Sequence, residues 1–376
     1  MKKVLFLILI IIISGLSGVI ADRYVFPRLA ATEFFNKYKI LKKTTEGVTV
    51  INKTEQVYVK EETSLTRIAN QVSSSVVNII SYPDLEAQPK NTANSKNGTG
   101  VIVTSDGIIM TYLNAINPEN SRYKIMIHDG KNYDGELLAI DPYSNLVFIK
   151  INASNLPVIS FGNSDDFKAG EKVIAVGNSL ERYQNIYTSG VLNAFNPYYN
   201  LSGKTLSSSE KMEGIFETEL EKEALCVGGP VIDYSGQVIG IMGSLEKNNK
   251  TDFFQIPGNK VKIVLDKIIK KEWDKTSLLG IYYTPITTSF ALVNNLPVDK
   301  GAMIYSPSGQ QGLAIISNSP AARSGLKIND IITKINEEEI TPEKSLSDIM
   351  YKYKKGDEIE MTIKREEKEM KIKVQL

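Results

Sequence analysis

The segment Met212–Gly240, MEGIFETELEKEALCVGGPVIDYSGQVIG, decides the fold of this 376-residue chain. It reads as a short strand, a loop, and a turn at Gly228, Gly229 and Pro230. A hairpin follows, its strands carrying Val231, Ile232, Val238 and Ile239 around the turn Asp233 to Gly236.

The chain upstream has the same texture. GTGVIVTSDGIIMTYL, KIMIHDGKNYDGELLAID, NLVFIKIN, KVIAVGN and YTSGVLNAF are short apolar runs, and Asp-Gly pairs at Asp106 and Asp129 mark hairpin turns. Many short strands with almost no helical periodicity argue an all-β barrel or sandwich from about Val57 to Pro257. Val76 to Ser81 reads as a buried strand, and Ala87–Asn97 and Tyr198–Lys211 as polar loops. Within Glu61–Ser73, Leu65, Ile68 and Val72 fall at helical spacing after the N-cap Thr63. Downstream, Val261, Val264, Leu265, Ile268 and Ile269 share one face of a helix over Asn259–Lys271. A hinge is expected at Trp273 to Lys275, then a separate α/β module from Leu278 to Leu376.

With 44 Lys and Arg against 43 Asp and Glu, the chain has no global field that would point to nucleic acid. The exception to its ordinary composition is the N-terminus. Lys2 and Lys3 precede an uninterrupted apolar run from Val4 to Ala21, about long enough to span a bilayer. With the N-terminus in the cytoplasm, everything after Asp22 is expected on the extracytoplasmic side of a cell membrane crossed once. The same run also fits a cleaved signal peptide, with Val19 and Ala21 at the peptidase site. Residues 23–60 read as an extracytoplasmic stalk and lead-in strand. A single cysteine, Cys226, excludes an intramolecular disulfide framework.

In the opening segment the chain resembles the HtrA (DegP-like) family of trypsin-like serine proteases, where the corresponding run ends in Gly-Asn-Ser-Gly-Gly-Pro. The match needs no gap, and Val227 stands where the nucleophilic serine would be. The C-terminal module resembles a PDZ domain through Leu278-Leu279-Gly280-Ile281, the run SPAARSGLKINDIITKINEEEI from Ser319, and KKGDEIEMTIKREEKEMKIKV from Lys354. The implied fold is mainly β: a trypsin-like double β-barrel followed by an α/β PDZ-like domain, with an N-terminal transmembrane helix. Its divisions are an anchor at 1–22, the stalk at 23–60, a protease-fold domain at 61–272 and a PDZ-like domain at 276–376.

The serine protease template needs an imidazole, a carboxylate that orients it, a hydroxyl, and amide donors for the oxyanion. The resemblance places Asn114 at the histidine position and, in DPYSNLVFIK, Asn145 at the aspartate position. An amide cannot exchange a proton near neutral pH, and the valine offers no oxygen. Leu225 replaces the glycine two residues before the serine, where a leucine at positive φ would be strained. All three triad positions are therefore substituted and the oxyanion position is degenerate.

His128, the one histidine, precedes a hairpin turn and reads as an exposed turn residue. Cys226 is the sharper alternative nucleophile, although a free cysteine is most often a small packing group. No metal-ligand spacing, P-loop or dinucleotide motif occurs, so no cofactor is implied.

The PDZ resemblance implies that the loop Leu278–Ile281 offers its amides to a peptide C-terminal carboxylate, and that the peptide adds to an exposed sheet edge beside Ile281, Tyr282 and Tyr283. A helix in SLSDIMYKY closes the groove with Leu346, Ile349, Met350 and Tyr353. The same spacing suits a packed core. Three readings stand. One is a membrane-anchored pseudoprotease that binds protein or peptide C-termini as scaffold or regulator of extracytoplasmic protein quality control. Another is an active endopeptidase, serine-type or dependent on Cys226. The third is a structural oligomerisation unit. The partners these imply are peptide C-termini, the membrane, and either copies of the chain in a homotrimer or active relatives.

Overall fold

The computed structural model describes residues 2–25, 66–68, 70–83, 95–118, 121–179, 184–247 and 249–376. The chain divides into two compact units, Met1–Thr63 and Ser64–Leu376. In the first, a helix covers Lys2–Ile20 and ends in a π turn, Ala21–Val25. Among the described residues no helix is long and apolar enough to cross a membrane. The stalk and lead-in strand expected over 23–60 lie almost wholly outside the described residues, as does most of the polar loop 87–97.

The second unit opens with helical residues at 66–68 and 70–73, with Ile68 and Val72 buried. Two closed barrels follow. The first is built from β1 (Val76–Pro83), β2 (Lys96–Ile102), β3 (Ile108–Tyr112), β4 (Ser121–Met126), β5 (Asn132–Ile140) and β6 (Leu146–Ile151), in the order β1-β2-β3-β6-β5-β4. The β2–β3 and β4–β5 turns fall at Asp106-Gly107 and Asp129-Gly130, where the glycines take φ 101 and 82, a region open to glycine at no steric cost. In β3 all five residues are buried, as is nearly all of β6.

The second barrel comprises β7 (Lys172–Ser179), β8 (Gln184–Asn200), β10 (Glu213–Glu219), β11 (Pro230–Ile232), β12 (Val238–Lys247) and β13 (Lys250–Pro257), in the order β10-β13-β12-β11-β7-β8. The YTSGVLNAF run extends to a strand of 17 residues. One continuous core, including Ile79, Ile109 and Phe148 from the first barrel and Val176, Val231 and Ile256 from the second, joins the two. Closure leaves neither barrel with a free edge.

The helix Gly258–Ile269 packs Val261, Val264 and Ile268 against the second barrel. Instead of a free hinge, Trp273–Lys275 forms a 3-10 turn, tied to the following module by Glu272–Lys354 (2.7 Å) and by Lys355 N–H donating to Lys275 C=O (3.1 Å). That module is a sheet of β14 (Tyr282–Pro285), β15 (Ala302–Ile304), β16 (Ile331–Ile335), β17 (Glu338–Glu339), β18 (Glu358–Arg365) and β19 (Lys368–Gln375) with short helices including Leu346–Met350. Its order is β19-β18-β16-β15-β14, followed by β9 (Ser207–Ser208). That last strand comes from within the segment expected to be a polar loop of the barrel domain.

Candidate functional site

At the end of β3 a 3-10 turn, Leu113–Ala115, carries Asn114 into the cleft between the barrels. Leu113 N–H donates to the Asn145 carbonyl (3.0 Å), so the stretches that carry Asn114 and Asn145 meet through their backbones. Asn145 stands at φ 60, a left-handed conformation that asparagine tolerates better than most residues. Its Nδ2 donates to the Tyr112 hydroxyl (3.3 Å), and its Oδ1 accepts from Lys211 Nζ (2.9 Å). Asn114 Nδ2 is bonded as well, donating to the Ser244 carbonyl (2.9 Å).

The cleft has a volume of about 710 Å³ and is lined by Asn114, Val227, Leu225, Asn178, Ser244, Glu246 and Phe253 among others. Val227 is 7% exposed. The turn after it is fixed by Gly228 N–H to Met242 C=O (2.8 Å), Met242 N–H to Gly229 C=O (2.9 Å) and Gly229 N–H to Cys226 C=O (2.8 Å).

The strain expected at Leu225 is avoided. Lys222 takes the left-handed conformation (φ 55), a 3-10 turn runs Glu223–Cys226, and Leu225 is not among the residues at positive φ. As a result the Leu225 amide donates to the Lys222 carbonyl (3.0 Å) inside that turn, and the Leu225 carbonyl accepts from Thr99 Oγ1 (3.2 Å). An oxyanion donor must point into the cleft, and this one is engaged elsewhere.

Cys226 is fully buried, and burial, with Glu223 nearby, pushes its thiol up to about 12. The nucleophilic thiolate is thereby disfavoured. His128 is exposed in the turn after β4 and does not line the cleft. Ser244 is a cleft serine that the sequence does not single out, because nothing in the local pattern of β12 distinguishes it.

At the PDZ-like module the sheet edge expected to be exposed is covered. Tyr282 pairs with Ser208 and Tyr283 with Ser207, antiparallel. Ser209 N–H donates to the Ile281 carbonyl (3.1 Å). The loop amides are also occupied: Leu279 N–H and Gly280 N–H donate to Glu210 Oε1 (3.0 and 2.8 Å), and Ile281 N–H to Ser209 Oγ (3.1 Å). Gly280, at φ 83, has no room for a Cβ against Ser319. Leu279, Ile281, Tyr283, Leu346, Ile349 and Met350 are buried in the module's core, while Leu278 is exposed. Tyr353 lies beyond the helix, and its hydroxyl accepts from Asn336 Nδ2 (2.8 Å). Between the end of β14 and the start of the helix Leu346–Met350, Pro197 and Tyr198 of β8 help line a cavity of about 20 Å³, room for about one water.

A polar network closes this contact. Lys260 of the long helix pairs with Asp348 (2.9 Å), and the Tyr143 hydroxyl donates to the same carboxylate. Tyr143 stacks on Tyr351 with ring centroids 4.1 Å apart, the Tyr351 hydroxyl donates to Asp141 Oδ1 (2.9 Å), and Lys267 Nζ sits 3.7 Å from the Tyr351 ring centroid.

Glu213, 1% exposed, accepts from Ser207 Oγ and from the Tyr283 hydroxyl (2.5 Å), with Lys260 donating to its backbone carbonyl. Burial raises its pKa from 4.5 to about 7, against the two hydroxyl bonds and Lys260, with Asp348 adding to the rise. A carboxyl group whose folded pKa is raised stabilises the fold fully below the unfolded value and loses that contribution as pH rises through the folded one. The expected result is that native chain and Glu213→Gln have similar urea midpoints at pH 4.5, whereas at pH 8 the native chain is the less stable by up to about 3 kcal/mol. A native chain at least as stable as the variant at pH 8 would contradict this assignment.

The geometry defines a trypsin-like double barrel carrying a PDZ module, and sequence comparison agrees. Residues 98–241 match the trypsin-like peptidase domain and residues 278–376 the PDZ domain. In sequence the chain is similar to DegP-like serine endoproteases. It is 28% identical over 296 residues to a probable periplasmic serine endoprotease DegP-like of Chlamydia muridarum, covering 78% of this chain and 56% of the relative. It is 28% identical over 286 residues to the DegP-like protein of Brucella suis, covering 74% and 52%. The chain thus spans about half the length of the curated relatives it matches. Two solved structures of the HtrA-type protease AlgW share its fold at 20% identity and cover 82% of this chain. The complex with a tripeptide has a TM-score of 0.64 and is covered over 95% of its own length; the complex with a decapeptide has 0.61 and 97%.

Proposed function

We propose that this chain is a non-cleaving HtrA-type protein that is anchored in the membrane and binds polypeptide C-termini through its PDZ domain, as a scaffold or regulator of extracytoplasmic protein quality control. The cleft carries the reading. Asn114 and Val227 line it, Asn145 is held by Tyr112 and Lys211, and the Leu225 amide is bonded inside its own turn. Without a base at Asn114 to take the proton or a hydroxyl at Val227 to give it, the triad's acyl-transfer route has no first step.

Peptide binding is supported by the PDZ match and by the peptides held in the AlgW complexes. Extracytoplasmic location is supported by the periplasmic DegP-like relatives, and anchoring by the run Val4–Ala21 behind Lys2 and Lys3. Carbonate extraction of vesicles carrying the full chain tests the anchor: retention in the pellet supports it and release refutes it. For the function itself, a fluorescent peptide with an apolar free C-terminus is expected to bind the full chain and to keep its mass after prolonged incubation, while its C-terminal amide does not bind. Shortened peptide products, or equal binding of acid and amide, would refute the reading.

A further inference from the structure

We propose that the segment Ser207–Glu210 is an internal ligand of the PDZ domain, and that a peptide C-terminus reaches its site only by displacing it. The inference rests on the peptide-binding reading above.

The segment supplies what a bound peptide end would supply. It runs antiparallel to β14, so that its last residue arrives at the loop Leu279–Ile281. There a carboxylate oxygen of Glu210 accepts from the Leu279 and Gly280 amides at 3.0 and 2.8 Å, charge-assisted bonds of the strong kind. Ser209 serves the next amide, that of Ile281, and its own N–H bonds the Ile281 carbonyl. Because the carboxylate sits on a side chain, the main chain continues through Lys211 into β10, which a true chain end could not do. The segment also covers the edge of β14, which would otherwise present unpaired backbone groups.

Two partners cannot hold the same amides. When the groove is open only a fraction of the time, the apparent dissociation constant of an external peptide rises by the reciprocal of that fraction. The closed state reaches the barrel as well, since Lys211, the next residue, donates to Asn145 Oδ1 (2.9 Å).

The experiment compares the full native chain with Glu210→Ala and Glu210→Gln. Amide hydrogen exchange is read at Leu279 and Gly280, and the affinity for the fluorescent apolar C-terminal peptide by anisotropy. Exchange across β18 and β19 reports whether each variant remains folded. The expected result is at least about tenfold faster exchange at the two loop amides and at least about tenfold tighter peptide binding in Glu210→Ala, with Glu210→Gln intermediate. Unchanged exchange at Leu279 and Gly280, or equal peptide affinity in native and variant proteins, overturns the proposal. Faster exchange with no peptide bound by any of the proteins retains Ser207–Glu210 as the internal ligand, refutes its displacement by peptide, and defeats the peptide-binding reading separately. If Glu210→Ala alone is unfolded, Glu210→Gln decides by the same two readouts.

Discussion

Val227→Ser alone is expected to leave hydrolysis of a quenched-fluorescent unfolded protein at the rate of buffer. The substitution supplies a hydroxyl but no imidazole to deprotonate it, because Asn114 is an amide bonded to the Ser244 carbonyl. Loss of triad function costs on the order of 10⁶ in kcat, and loss of an oxyanion donor about another 10² to 10³. Activity is therefore expected to need at least Asn114→His, Asn145→Asp and Val227→Ser together, with Leu225→Gly as a fourth change adding up to about 10² to 10³, and the four combined rising at least about 10² over background. Lys211 limits even that gain. Its ammonium lies 2.9 Å from Asn145 Oδ1, so a carboxylate placed there would pair with lysine in competition with the imidazole. Adding Lys211→Gln to the four changes should raise the rate further. Measurable hydrolysis by Val227→Ser alone would mean that another group acts as the base.

Gly228→Ala is expected to lower stability by about 3 kcal/mol or more. Gly228 takes φ 84, a region that a side chain strains, and a Cβ there would run into Thr111 Oγ1 and the Thr99 carbonyl of the first barrel. Those two groups already bond each other at 2.6 Å in the buried interface, so neither has room to yield. Gly130→Ala is the matched control. It has a similar φ of 82 but nothing within 4 Å of its Cβ, leaving only the backbone cost of about 1 kcal/mol. Urea unfolding of the two variants separates steric from backbone terms; equal midpoints would show that the barrels relax around the added methyl.

The sequence makes the barrels legible because their signals are local. Asp-Gly turns between apolar runs locate β2–β3 and β4–β5, and Gly228, Gly229 and Pro230 fix where β11 begins. The cleft positions follow by spacing along those strands, which is why Asn114 and Val227 line a common cavity. The Leu225 turn could not be read from a glycine's absence alone. Backbone strain is relieved one turn earlier, by Lys222, a choice that depends on the loop's packing beneath Thr99.

Least legible is the contact between barrel and PDZ module. Ser207–Ser208 has neither length nor apolar alternation to mark it as a strand; it becomes one only by pairing with Tyr282 and Tyr283, far along the chain. Glu210 resembles any surface acid until it meets the amides of Leu279 and Gly280. Tyr143 and Tyr351 likewise carry no local sign that they stack. Exposure of the groove was therefore the natural expectation from an isolated PDZ sequence, and the barrel's own segment is what closes it.

The most direct measurement is hydrolysis of the quenched-fluorescent unfolded protein by the purified full chain beside Cys226→Ala and Ser244→Ala, with no other change. The account predicts that all three match buffer. Hydrolysis by the native chain that either substitution abolishes would contradict it, because the cleft would then hold a working nucleophile despite a buried thiol and the missing imidazole.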